Sequence, residues 1–380
     1  MAPSATRPKF TPKPLALDEH VVWVLARAFG PPDRSVSLRD PQAAIEAADR
    51  LGYLPRIGQR TPRARLLAEL ADLSGLVVEA SHRAAAGAAA LNATSRFVRE
   101  VAQEHGLPAV FLKFSALSAL GVVRPGSRVA SDVDVLSARH HGDGLVHALV
   151  AHGARALPER RLAHELTSLL SPLSVHIDPH RYVPGVRLDR SRFVAADDLL
   201  AAGLVRLETN SPAPSVLAAH ALVHGFVENA PIPQSGAPPR ALADLFDLEH
   251  FERGALVGAL SLLEPLFDAR DVSELRALCV ALERGEVAHG YDGPGGSWLS
   301  HVLGSALDSN YAASLRRFLF RAPLSERTGP GPRLGRIAHM LVPTAAELSR
   351  IYGEPKGKIG RWRQRLWRPI DLAGRALRLI

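Results

Sequence analysis

Cysteine is almost absent. Cys279 is the only one in 380 residues, so the chain has no internal disulfide and no cysteine-rich zinc site. Its neighbours, Leu275 to Leu282, read as a helix, which makes a buried thiol the expected state. No apolar run approaches the ~20 residues of a membrane-spanning helix, and Arg27 interrupts the short run Val21–Phe29, so no secretory pattern opens the chain. A cytoplasmic protein is the expectation. A phosphate-binding loop of the Walker type is also missing: the glycine-rich stretch Gly290–Ser297 follows no strand-like run and lacks a Lys-Ser/Thr ending. His220 and His224 share a helical face, but the intervening Glu and the third ligand of a zinc hydrolase are not there.

What is present bounds the rest. With 47% hydrophobic residues the chain can bury a sizeable core, and its length suits two or three structural units. The net charge of +8 fits phosphate-bearing ligands or nucleic acid, although Arg dominates over Lys alongside abundant Ala, Pro and Gly, a bias that genome composition alone produces.

The chemistry concentrates in Phe111–His180. In Ser131-Asp132-Val133-Asp134-Val135-Leu136, side chains of an extended segment alternate, so Asp132 and Asp134 share a face within a run that favours a buried sheet. Two carboxylates so placed need a cation, a shared proton or open water. Val175-His176-Ile177-Asp178-Pro179-His180 repeats the pattern, with Asp178, His176 and His180 on one face. If the two strands lie side by side, three carboxylates converge, an all-oxygen set suited to Mg²⁺ or Mn²⁺ and to displacement at phosphorus.

Upstream, Leu107–Leu117 reads as a short buried strand followed by a helix. Leu112-Lys113, Arg128, Ser131-Asp132-Val133-Asp134-Val135-Leu136 and Asp178-Pro179-His180 stand in the order of a known pattern. Through them the chain resembles the bacterial "uncharacterised nucleotidyltransferase" family of the DNA polymerase beta-like superfamily. The resemblance covers about Leu107–Phe251. It implies an α/β (α+β) fold, a small mixed β-sheet nucleotidyltransferase core wrapped by N- and C-terminal helices. It also implies transfer of a nucleoside monophosphate from an NTP donor, ATP being the expected one, to a hydroxyl-bearing acceptor, a small molecule or a protein.

On that reading Asp132, Asp134 and Asp178 are the catalytic and metal-binding residues. Asp132 and Asp134 hold the nucleotide-associated Mg²⁺ (or Mn²⁺), and Asp178 completes a second metal site or activates the acceptor hydroxyl. Ser115 contacts a donor phosphate, while Lys113 and Arg128 supply positive charge or brace the site. Phe114 stands where the family has the Gly that lets backbone approach phosphates. That departure motivates an alternative, a degenerate nucleotidyltransferase fold that binds a nucleotide or a partner without turnover.

Residues 1–17 read as a flexible tail, 18–105 as a helical region, 106–207 as the core, 208–340 as a helical domain and 341–380 as a basic segment. Asp18–Gly30 is expected to form an amphipathic helix, and Asp40–Gly52 a helix with a capping Asp, Pro in its first turn and Gly at its end. Thr61–Gly106 reads as two long helices, and His140–Gly153 as a crossover helix whose His140, His141, His147 and His152 show no single metal spacing, leaving surface or packing roles. Arg155–Leu157 and His164–Leu170 read as strands. Asp197 and Asp198 fall where a helix begins, so its dipole explains them without a metal.

Ser211-Pro212 is read as the cap of the His220 helix, Pro231–Pro239 as a loop and Pro239–Leu248 as a helix. The last two helices resemble the family's second half, with a structural His220–Asp244 contact expected. Lys356–Arg378 carries eight basic residues against one acid, Asp371, with Trp362 and Trp367 interleaved. That composition suits nucleic acid or an anionic membrane surface, or a basic helix packing its Trp residues onto the domain.

Overall fold

In the computed structural model, the described residues are 17–157, 166–183, 185–188, 191, 193–228, 237–263, 267–288 and 291–307. The expected N-terminal tail (save Leu17), the 231–236 loop and the basic segment 341–380 lie outside them. Among the described residues no helix is long and apolar enough to cross a membrane.

Helix α1 (Glu19–Ala28) is not amphipathic as expected: every residue from Val21 to Ala28 is buried. Its one charge in that run, Arg27, is neutralised internally. The guanidinium donates to Glu69 through Nε (2.8 Å) and to the Arg34 carbonyl (2.9 Å), and Trp23 and Arg65 also donate to Glu69. Burial pushes the Glu69 carboxyl up, but these donors outweigh it and hold the group below the usual carboxylate range.

Helix α2 (Pro41–Leu51) forms as its end signals dictate. The Asp40 carboxylate accepts from the Ala43 amide at 2.9 Å, and Gly52 closes the helix at φ 72°. After α3 (Leu54–Arg60), the segment expected as two long helices divides unequally into α4 (Arg63–Leu70), one 3₁₀ turn, and the 31-residue α5 (Ser74–Glu104). The buried face of α5 includes Val77, Ala80, Ala84, Ala88, Leu91, Thr94, Val98 and Val101, a stripe at helical spacing that is rich in Ala. Small residues let other backbones approach. At Gly58 of α3 an added Cβ would sit 3.0 Å from the Val77 carbonyl.

The sheet follows. Strands β1 (Ala109–Phe111), β2 (Asp132–Ser137), β3 (Arg155–Ala156), β4 (Leu169–Leu170) and β5 (His176–His180) form one mixed sheet in the order β1-β2-β5-β4-β3. Only β2 and β5 run parallel. Helix α6 (Lys113–Ala119) separates β1 from β2, and α7 (Gly142–Ala151) is the crossover after β2. Helix α5 packs against β1, β2, α6 and α7.

Helix α8 (Ala196–Ala201) starts at the Asp pair, and Asp198 accepts from the Ala195 amide at 2.8 Å while pairing with Arg139. A small ribbon, β6 (Val205–Arg206) with β7 (Ser211–Pro212), then takes the residues expected as a helix cap. Helix α9 (Pro214–Val223) therefore begins without a side-chain cap and runs on into a π-helical turn, His224–Glu228. Helix α10 (Ala237–Phe251) starts two residues earlier than expected, with both prolines in its first turn, where no intrahelical N–H is needed. Helices α11 (Ala255–Ala259), α12 (Ala269–Arg284) and α13 (Gly296–Leu307) complete the described chain.

Cys279 lies buried in α12, and burial pushes its thiol well above the ordinary range. Iodoacetamide at neutral pH is therefore expected to leave the folded chain unlabelled and to modify it fully in denaturant. Rapid labelling of the native protein, read by mass spectrometry, would contradict that burial.

Candidate active site

Parallel pairing of β2 with β5 sets Asp134 directly opposite Asp178 and Asp132 opposite His176. The sequence alternation puts Asp132, Asp134 and Asp178 on one face, and ligand oxygens of all three lie within 4.8 Å of one another. The convergence expected from the two motifs is thus present.

Lys113 reaches the cluster through β1. The Leu112 amide donates to the Asp134 carbonyl at 3.0 Å, which ends the β1–β2 ladder beside the cluster and starts α6 there. Lys113 Nζ then donates to Asp134 Oδ1 at 2.6 Å, and His180 Nε2 lies 2.9 Å from the same oxygen. Lys113 holds this place at φ 47°, a left-handed conformation that costs a residue with a Cβ on the order of 1 kcal/mol.

Asp134 is 3% exposed. Burial pushes its carboxyl up, but the Lys113 charge and the His180 hydrogen bond outweigh it and hold the group far below the carboxylate range. Burial pulls the Lys113 ammonium down, and Asp134 and Asp132 more than restore it. Asp178, half-buried, goes the other way: burial pushes its carboxyl up, a Ser168 hydrogen bond opposes, and the charges of Asp134 and Asp132 add to the rise.

A cavity of about 300 Å³ opens beside the cluster. Asp132, Asp134 and Lys113 line its sheet side. His224 and Gly225 of the π turn, with Arg240, Ala241 and Asp244 of α10, line the other. π turns are rare and recur at functional sites. Within that wall the π turn and α10 meet closely: a Cβ on Gly225 would lie 2.2 Å from that of Ala241. Burial, with Lys113 and Arg240 nearby, pulls His224 down to about 3, so at neutral pH its imidazole is an uncharged hydrogen-bonding group.

Arg128 braces the cavity by an ion pair with Asp244 and lies 5.1 Å over the Phe114 ring. Asp244 thus pairs with Arg128, a partner that the expected His220–Asp244 contact did not name. The rings of His220 and His224 lie 5.4 Å apart. Phe114 lines the cavity while nearly buried, and its backbone has ordinary helical φ, so position 114 does not require glycine for its conformation. Ser115 is buried and does not line the cavity, and its hydroxyl has no hydrogen-bond partner among the described residues.

Sequence reasoning missed Arg240 as a cavity residue and the Lys113–Asp134–His180 bonding around one oxygen. A helical wheel of 237–251 places Arg240 and Asp244 on one face, four residues apart, which is the one local signal for that wall. No protein-family model matches the chain, and no curated protein or solved structure matches it.

Proposed function

We propose that the chain is a metal-dependent cytoplasmic nucleotidyltransferase, moving a nucleoside monophosphate from a nucleoside triphosphate, ATP first among the donors, to a hydroxyl-bearing acceptor. The observation that carries this reading is the Asp132–Asp134–Asp178 cluster beside a cavity lined by Lys113, Arg128 and Arg240. Three carboxylates against one paired ammonium leave two negative charges, which a divalent cation balances. The donor set is entirely oxygen, as Mg²⁺ or Mn²⁺ prefers. Asp132 and Asp134 on the sheet wall, facing Arg240 on the α10 wall, suit a ligand that is itself a polyphosphate with its metal.

Asp132 and Asp134 would hold the ion. When bound, it supplies Lewis-acid polarisation of phosphoryl oxygens. The chain's own residues do the rest. Lys113 fixes the Asp134 carboxylate, and Arg240 with Arg128 binds the anionic phosphates. Asp178, raised by burial and by the charges of Asp134 and Asp132, takes the proton of the acceptor hydroxyl or completes the ligand set. The acceptor oxygen bonds to the α-phosphorus as the bond to pyrophosphate breaks.

A second reading rests on Phe114, whose ring lines a cavity at the lower end of the ~300–1,000 Å³ typical of ligand sites. It keeps nucleotide or partner binding and drops turnover. Calorimetric titration with non-hydrolysable analogues of each nucleoside triphosphate, with and without Mg²⁺, tests the proposal. Binding that needs Mg²⁺ and disappears in Asp132→Asn is expected. Absence of binding to every analogue would sink the transferase reading and leave the second only as partner binding, and binding without pyrophosphate release from the natural nucleotide would favour the second.

A further inference from the structure

The C-terminal ends of α5 and α7 converge, and three metal-ligating side chains meet there. Glu104 is the last residue of α5, His105 follows it, and His152 follows the last residue of α7. Ligand atoms of all three lie within 4.8 Å of one another, and the two imidazole rings stand edge to face with centroids 5.3 Å apart. The side chains are exposed. They lie outside the carboxylate cavity, and no step of the proposed transfer uses them.

Two features set this cluster apart from a chance surface grouping. His152 Nδ1 lies 2.9 Å from the Ala148 carbonyl, an oxygen that can only accept, so Nδ1 carries the proton and donates. In the neutral ring Nε2 is then a lone pair, and it faces Glu104 Oε2 at 3.2 Å, a second acceptor. Two acceptors facing each other call for a proton or a cation between them. A carbonyl on the far nitrogen is also how proteins orient a histidine that ligates a metal.

The second feature is the backbone. Two helices end at this point, and the negative end of each dipole favours a cation.

We propose that His105, His152 and Glu104 bind a divalent transition metal of the zinc type. Two imidazoles and one carboxylate are a borderline donor set that zinc takes and that Mg²⁺ does not, so the two sites divide by ligand chemistry. The ion would tie α5 to α7 at the edge where β1 begins. The segment after His105 leads through Gly106 into β1 and on to Lys113, so this clamp would steady the connection that delivers Lys113 to Asp134.

Calorimetric titration of the full chain with Zn²⁺, in excess Mg²⁺ to occupy the carboxylates, tests this. One zinc equivalent is expected in the native chain and in Asp178→Asn. In His105→Ala and in His152→Ala it should weaken by more than the ~10–100-fold that loss of an outer-shell partner costs. Both substitutions are at exposed positions, and circular dichroism verifies the fold. With Cu²⁺ in place of zinc, electron paramagnetic resonance is expected to show coupling to two imidazole nitrogens in the native chain and to one in either variant. No zinc bound by the native chain, or unchanged binding in both histidine variants, would overturn the site. Because Asp178→Asn is expected to keep this zinc, failure of the nucleotidyltransferase reading would leave the result interpretable.

Discussion

Asp132→Asn is expected to lower pyrophosphate release by about 10²–10³-fold, the scale of removing one preorganised charge-stabilising group, and to leave unfolding where it was. Asp134→Asn is expected to lose activity to the same degree and also about 3 kcal/mol of stability. The two carboxylates differ in what leans on them. Asp132 is half-buried, and the hydrogen bond it accepts is from the neighbouring Ser131 hydroxyl at 3.2 Å, which water replaces. Asp134 holds Lys113 and His180 on one oxygen. Its loss strands an ammonium in the interior, and breaking a buried pair from one side costs ~3–5 kcal/mol. The low end applies because the Lys113 side chain keeps 23% exposure. Urea unfolding of the two variants measures the difference. Equal stability would mean that Lys113 finds another partner and that the geometry around Asp134 is wrong.

Arg56→Ala is expected to destabilise the chain by about 3–5 kcal/mol without touching the carboxylates. Arg56 donates through both terminal nitrogens to Asp247 of α10, at 2.6 and 2.7 Å, and through Nε to the Ala28 carbonyl at 2.6 Å. The guanidinium also lies 4.8 Å over Phe29 and 5.4 Å over Phe246. The Arg56 side chain is 7% exposed, so its removal leaves Asp247 as a nearly buried carboxylate without its hydrogen-bonded counter-charge. Arg56→Met with Asp247→Leu should recover most of the loss, since apolar side chains of similar size often replace a buried ion pair at little cost. A double-mutant cycle reads the coupling directly, and additive single effects would contradict it. The pair ties α3 to the helix that carries Arg240 and Asp244, so the variant's nucleotide affinity should also weaken.

The parts of the site written within a few residues of chain were legible before the fold was known. Strand alternation alone placed Asp132 with Asp134, and a second strand-like run supplied Asp178. Helix α2 could be read from Asp40, Pro41 and Gly52, because caps are local chemistry. Partners distant in sequence were not legible. Arg27 read only as a charge interrupting an apolar run, and its carboxylate partner Glu69 lies 42 residues away. Arg56 and Asp247 are 191 residues apart, with nothing in either neighbourhood that names the other.

The same limit applied to His152, whose own helix offered no metal spacing; its companions Glu104 and His105 arrive on α5. Ser211 was misread for another reason. Ser-Pro before an Ala-rich run is a helix signal, but pairing with β6 uses those residues first. The π turn at His224 had no local signature, and it shapes the cavity wall.

The most direct test of the account is a crystal of the chain grown with Mn²⁺ and a non-hydrolysable nucleoside triphosphate, with data collected at the manganese absorption edge. The account predicts an anomalous peak about 2.1 Å from oxygens of Asp132 and Asp134, with the nucleotide phosphates in the cavity toward Arg240. Nucleotide bound with no manganese at the carboxylates, or manganese there with the phosphates elsewhere, would contradict it.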